Sequence, residues 1–211
     1  ILETVGIQGP HLTDGPDLPR IRERCNDRRM RIHIFQRKQG DGRSGDRAFR
    51  NLADVVLLAQ NFTEERIQVV TTDGGMHPRE QAGIFRGFDI LITPHGSHLM
   101  NMLFQPPYTG IIEVAPIDHD PVFSKGARQL GIQSYRFSTG HQPACPPDTM
   151  APEPLFEESL EGNCTYDSED GLGWTCPRAL SFQYVVCDMV VDIEKLRNHI
   201  VQTLKDLCTA G

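Results

Sequence analysis

Five short segments of strand length, each parted from the next by a stretch long enough for a helix, constrain this chain more than any other feature. The segments "RIHIFQR" (31–37), "RIQVVTT" (66–72), "DILIT" (89–93), "GIIEVAP" (110–116) and "QSYRFST" (133–139) read as strands. Between the first two, "DRAFRNLADVVLLAQNF" (46–62) spaces Phe49, Leu52, Val55, Val56 and Ala59 along one helical face. "HPREQAGIFRGF" (77–88) has proline near its start, "SHLMNMLF" (97–104) reads as a helix, and so does "DPVFSKGARQLG" (120–131). Neighbouring parallel strands need a crossover of this size, whereas antiparallel ones need only a tight turn. The fold class that follows is α/β, a Rossmann-like parallel sheet with helices on both faces.

The flanks read differently. Residues 10–30 are rich in Pro, Gly and Arg, so residues 1–30 read as a lead-in segment or linker. Residues 140–180 carry much of the proline and three cysteines, and read as a surface excursion held by disulfides. Order returns with "FQYVVCDMVVD" (182–192) as a strand. "DIEKLRNHIVQTLKDL" (192–207) follows as an amphipathic helix, with Ile193, Leu196, Ile200, Leu204 and Leu207 on one face. The Rossmann-like domain is thus assigned to 31–139 and 181–211, interrupted by the excursion.

Composition narrows the partners. A formal net charge of −7 argues against nucleic acid as the main partner. No apolar run reaches eighteen residues, so no membrane span is expected. Ile1 rather than Met opens the chain, without a charged-then-apolar leader, which reads as a processed chain or part of a longer one. Six cysteines make an even set with no CxxC pair, compatible with up to three disulfides. Together with the glycosylation triplets at Asn61 and Asn163, they favour the secretory lumen (endoplasmic reticulum or Golgi) or the extracellular space over a cytosolic protein with free thiols.

The sheet's exit loops are where ligands sit in such folds. "THR-PRO-HIS-GLY" in one-letter form, TPHG (93–96), ends a buried strand just before a helix. Gly96 lets a ligand approach the backbone, and the amides of Ser97, His98 and Leu99 open the helix toward a phosphate. His95 adds a ring nitrogen. Arg37 closes the first strand and Arg47 starts the next helix, and both suit a phosphate through their planar donor forks. Each feature also has a plain structural reading, as a strand-ending turn and a solvated basic loop.

Other motifs carry less. Asp118-His119-Asp120 is a DxD triplet of the kind that holds a divalent metal on a diphosphate, but it runs into Pro121. His95 and His98 are a possible metal pair without a third ligand nearby in sequence. No GxSxG elbow, GxGxxG turn or Walker loop occurs. Trp174 and Tyr166 could line a sugar or simply anchor their loop.

Taken together, Arg37, Arg47, Asn51 and Asp54, then Pro78, Glu80 and Gln81, then the spaced set from Asp89 through His95-Gly96, Leu99, Asn101 and Leu103-Phe104 to Pro106-Pro107, and "IIEVAP" (111–116), resemble glycosyltransferase family 61. The likeness covers about residues 31 to 139. It implies the carboxy-terminal, donor-binding half of a GT-B enzyme, inverting and independent of metal or other cofactors. By that resemblance His95, Gly96 and the amides of residues 97–99 hold the diphosphate of a nucleotide-sugar, with Arg37 and Arg47 countering its charge. Asn51, Gln81 and Asn101 brace the site, and Glu113 lies near the ribose. The acceptor is a glycan or glycoprotein, reached through an amino-terminal domain or partner chain that also supplies the general base. His98 is the one candidate base within this half. Family members usually read HGA where this chain has His95-Gly96-Ser97. The other reading is a non-catalytic relative, a structural or carbohydrate-binding subunit of a secreted assembly.

Overall fold

The computed structural model describes residues 18–37, 48–72, 76–115, 122–138, 165–167, 173–175 and 189–209. Five strands form one parallel sheet: β1 (Ile32–Arg37), β2 (Gln68–Thr72), β3 (Ile90–Pro94), β4 (Gly110–Ala115) and β5 (Gln133–Ser138). Their order is β2-β1-β3-β4-β5. The chain therefore winds one way from β1 and then reverses, so β1 and β3 flank the topological switch point of a doubly wound sheet.

Helices cover both faces, and residue alternation along the strands decides which residue meets which layer. Ile32, Ile34, Ile90, Ile92, Ile112 and Val114 pack with residues of α1 (Leu18–Asn26), α2 (Leu52–Gln60) and the last helix, α5 (Ile193–Thr209). On the opposite face, Phe35, Leu91 and Ile111 pack with Phe85 of α3 (Pro78–Arg86), with Leu99 and Met102 of a 3-10 helix (Ser97–Phe104), and with Ala127 of α4 (Val122–Gln129). β3 and β4 are buried along their whole length, which is why they read as largely apolar segments, with Thr93 and Glu113 as the buried polar exceptions. A short antiparallel pair, β6 (Thr165–Asp167) and β7 (Gly173–Thr175), lies in the Pro- and Cys-rich region.

Local chemistry sets the boundaries. His77 caps α3 by accepting from the Arg79 amide at 3.2 Å, and Glu80 reaches back to the His77 amide at 3.3 Å. Gly110 starts β4 beneath α5: a β-carbon there would collide with the Thr203 side chain. Gly131 takes φ +73° in the turn before β5, a conformation that favours glycine.

Three sequence expectations change. Residues 10–30 are not wholly a linker, since Leu18–Asn26 is helical and buries Ile21, and Cys25 is bonded to Cys208 of α5. The helix expected from residue 46 begins at Leu52, because Ala48–Arg50 instead pair with Met189 through main-chain bonds of 2.8 Å. Of the strand expected at 182–192, the described part makes one parallel bridge, Phe49 with Met189, outside the five-stranded sheet. The disulfide closes a loop spanning 183 positions, for which loop-closure entropy predicts roughly 5 kcal/mol of stabilisation. No helix of the described residues is long and apolar enough to cross a membrane.

Candidate functional site

The site is built where β1 and β3 separate. Their pairing runs from Ile32 and Ile90 to Ile34 and Ile92, yet β1 continues to Arg37 and β3 to Pro94. β3 and β4 stay paired to Pro94 and Val114, and the His95 amide adds one more bond to the Val114 carbonyl at 2.8 Å. The carboxyl rim is thus closed on the β4 side and parted on the β1 side, at the switch point where such sheets bind ligands.

His95 is 7% exposed, and its Nδ1 hydrogen-bonds the Oε1 of Glu113, itself 1% exposed on β4. The second carboxylate oxygen, Oε2, accepts from the Ser124 hydroxyl of α4 at 3.2 Å. Phe123, one residue earlier, sets its ring 5.5 Å from the imidazole at 54°. Glu113 also stands in register with Thr93 on β3 and Arg136 on β5. Paired residues of parallel strands share a face, so Thr93, Glu113 and Arg136 form a polar row above an otherwise apolar layer.

His98 packs flat on Phe35, with ring centroids 4.3 Å apart and planes within 4°. Its Nε2 hydrogen-bonds the Thr93 hydroxyl at 2.6 Å, and that hydroxyl in turn donates to the Pro94 carbonyl at 3.2 Å. His98 therefore bridges from β3 to β1 just above the point where they separate, and its ring is engaged in packing. His95 and His98 point to different partners. Among the described residues no group of three His, Cys, Asp or Glu side chains could hold a metal ion.

The element after Gly96, read from the sequence as a helix, is a 3-10 helix of eight residues. Its tighter bonding uses the Leu99 amide on the Gly96 carbonyl at 3.0 Å. The amide set foreseen at 97–99 therefore loses Leu99, whose side chain is buried, while Ser97 is exposed. Asn101 helps to explain the tight winding, because its Nδ2 donates to the His98 carbonyl at 3.0 Å and competes with backbone donors for it. Gly96 itself is extended (φ 168°) and buried, a backbone conformation any residue adopts.

The residues expected to brace the site have defined partners. Asn101 Nδ2 donates to Gln81 Oε1 at 2.7 Å, and Gln81 Nε2 donates to the Met76 carbonyl at 2.7 Å, which ties the 3-10 helix to α3. Asn51 accepts from the Val191 amide at 2.8 Å and donates to its carbonyl at 3.0 Å. Gln36 makes a similar two-way bond to the main chain of Phe49, at 3.0 and 3.3 Å. The Gln36 bonds anchor the segment entering α2 against the carboxyl end of β1, and the Asn51 bonds tie it to the segment just before α5. Arg37 is half-buried at that end. Arg47, Asn163 and the DxD triplet lie outside the described residues, as do the side chains of Trp174 and Tyr166. Asn61 is exposed at the end of α2, while Thr63 of its triplet is buried and donates to the Met30 carbonyl at 2.7 Å.

Asp89, part of the spaced set, is not at this rim. It precedes β3 at the opposite end of the sheet, paired with Arg24 and Arg31. The sequence reading passed over Thr93, Ser124, Arg136 and Phe35. Thr93 and Arg136 carry a signal, being polar positions inside strands, whereas Ser124 is placed by tertiary packing alone.

Residues 9–112 of the chain match the sequence model of a family described as Glycosyltransferase 61. The match takes in α1, Arg37, Arg47, the 95–101 segment and its braces, and stops one residue short of Glu113. No curated protein matches the chain.

Proposed function

Because residues 9–112 match the sequence model of glycosyltransferase family 61, we propose that the chain is a member that moves a sugar from a nucleotide-sugar donor to a protein or polysaccharide hydroxyl, with inversion and without a metal. In this reading the chain is the donor-binding half of a GT-B arrangement, and an amino-terminal domain or partner chain completes the cleft. The observation that carries the reading is the parting of β1 and β3 with His95, Gly96 and Ser97 on one side and Arg37 on the other.

The chemistry asked of this half is modest. The anomeric carbon's bond to the diphosphate breaks as its bond to the acceptor oxygen forms, and negative charge collects on the diphosphate. His95, the amides at the start of the 3-10 helix and Arg37 stabilise that charge from fixed positions, and Arg47 adds a second guanidinium charge. A base must take the acceptor proton. The packing of His98 on Phe35 and Thr93 suits it to holding the rim together rather than to that task, so the base comes from the acceptor side.

The disulfide joining Cys25 and Cys208 fits an oxidising compartment, and we place the protein in the secretory lumen (endoplasmic reticulum or Golgi) or the extracellular space. Exposed Asn61 is its candidate glycosylation site within the described residues.

Calorimetric titration with uridine and guanosine diphosphates, without added metal, tests the reading. At least one should bind, and Arg37→Ala or His95→Ala should weaken it by about tenfold or more. A folded chain that binds neither would favour a structural or carbohydrate-binding subunit.

A further inference from the structure

We propose that Glu113 is a positioning residue for the diphosphate site, acting through His95 rather than touching the ribose. This inference rests on the donor-binding reading above and goes beyond it by assigning the buried chain Ser124–Glu113–His95 a role.

A buried carboxylate beside a diphosphate pocket would repel the ligand, so its presence needs a reason. Both its oxygens are already used inside the protein, one by the His95 ring and the other by the Ser124 hydroxyl. At 1% exposure it has no spare edge for a sugar hydroxyl. A carboxylate on Nδ1 holds a proton on that nitrogen and fixes both tautomer and ring plane. His95 then acts on a ligand through Nε2. Three separate elements converge on this setting: β3 supplies the backbone that carries His95, β4 supplies Glu113 and α4 supplies Ser124. Phe123 packs beside the ring and limits its rotation. Arg136, in register with Glu113 on β5, adds a positive charge on the same sheet face and offsets the carboxylate's field toward the rim.

The test combines a ring signature with an affinity. Long-range proton–nitrogen correlation spectra of the ligand-free protein, labelled with 15N-histidine, should show His95 protonated on Nδ1. Glu113→Gln should shift the ring toward the other tautomer and weaken uridine or guanosine diphosphate binding by roughly tenfold. Ser124→Ala removes one hydroxyl only and keeps the fold, so it should give a smaller change in the same two readouts. If wild type binds nucleotide and Glu113→Gln leaves both ring signature and affinity unchanged, the positioning role is overturned while the donor site stands. If wild type binds neither nucleotide, the inference falls with the donor-binding reading, whatever the ring signature.

Discussion

Asp89 and Glu113 are two buried carboxylates at opposite rims of one sheet, and they are satisfied in opposite ways. Asp89 takes the Arg31 amide at 2.8 Å, two donors of the Arg31 guanidinium at 2.9 and 3.3 Å, and Arg24 as well. Guanidinium groups do not release their protons, so this set is permanent. Glu113 ends instead on an imidazole and a hydroxyl, groups whose protons and rotamers can change. The same side-chain chemistry makes a rivet at the amino rim and an adjustable setting at the carboxyl rim. A recurring acidic residue in such a chain therefore says little until its partners are known.

The comparison can be broken most directly at the rivet. Asp89→Ala should lower the unfolding free energy by about 3–5 kcal/mol, since it strands two guanidinium groups, Arg24 with a side chain only 14% exposed. Urea denaturation measures this. A larger loss from Glu113→Gln than from Asp89→Ala would invert the assignment of the two rims.

A second test uses protons. His33 lies on β1 near Arg31 and Asp89, against the Phe88 ring at 5.7 Å, and its Nδ1 has no hydrogen-bond partner among the described residues. Burial, with help from Arg31, pushes its pKa down to about 4 from an ordinary 6.5. The unfolded chain accepts the proton first, so this contribution is complete above pH 6.5 and is lost as the pH falls toward 4. The loss amounts to roughly 3 kcal/mol at most. His199, lowered by burial and by Lys195, acts in the same direction. Melting temperature against pH should therefore fall below 6.5, and His33→Gln should flatten much of the slope. An unflattened slope would shift the acid sensitivity away from the amino rim.

The smallest effect is expected at the setting's outer brace. Asn101→Ala removes the bonds to Gln81 and to the His98 carbonyl and should cost about 1 kcal/mol by denaturant titration. A cost matching Asp89→Ala would mean that the carboxyl rim is a rivet too.

Much of the sheet was legible because burial on both faces leaves a largely apolar run, broken by one polar residue each, Thr93 in Ile90–Pro94 and Glu113 in Gly110–Ala115. The helix Leu18–Asn26 was hidden by its composition, since its apolar positions gain meaning only against α5, far away in sequence. Eight residues cannot distinguish a 3-10 helix from an α-helix by spacing, so the fate of the Leu99 amide was unreadable. His95 and Gly96 stood out at a strand exit. Their dependence on Glu113 and Ser124 did not, because strand register and a helix crossover create that contact.

The bond between Cys25 and Cys208 has a consequence for handling the protein. A single protease cut anywhere between those two positions leaves both pieces in one covalent molecule. On a denaturing gel such a nicked sample keeps its full mass and separates into fragments only once a reductant is added.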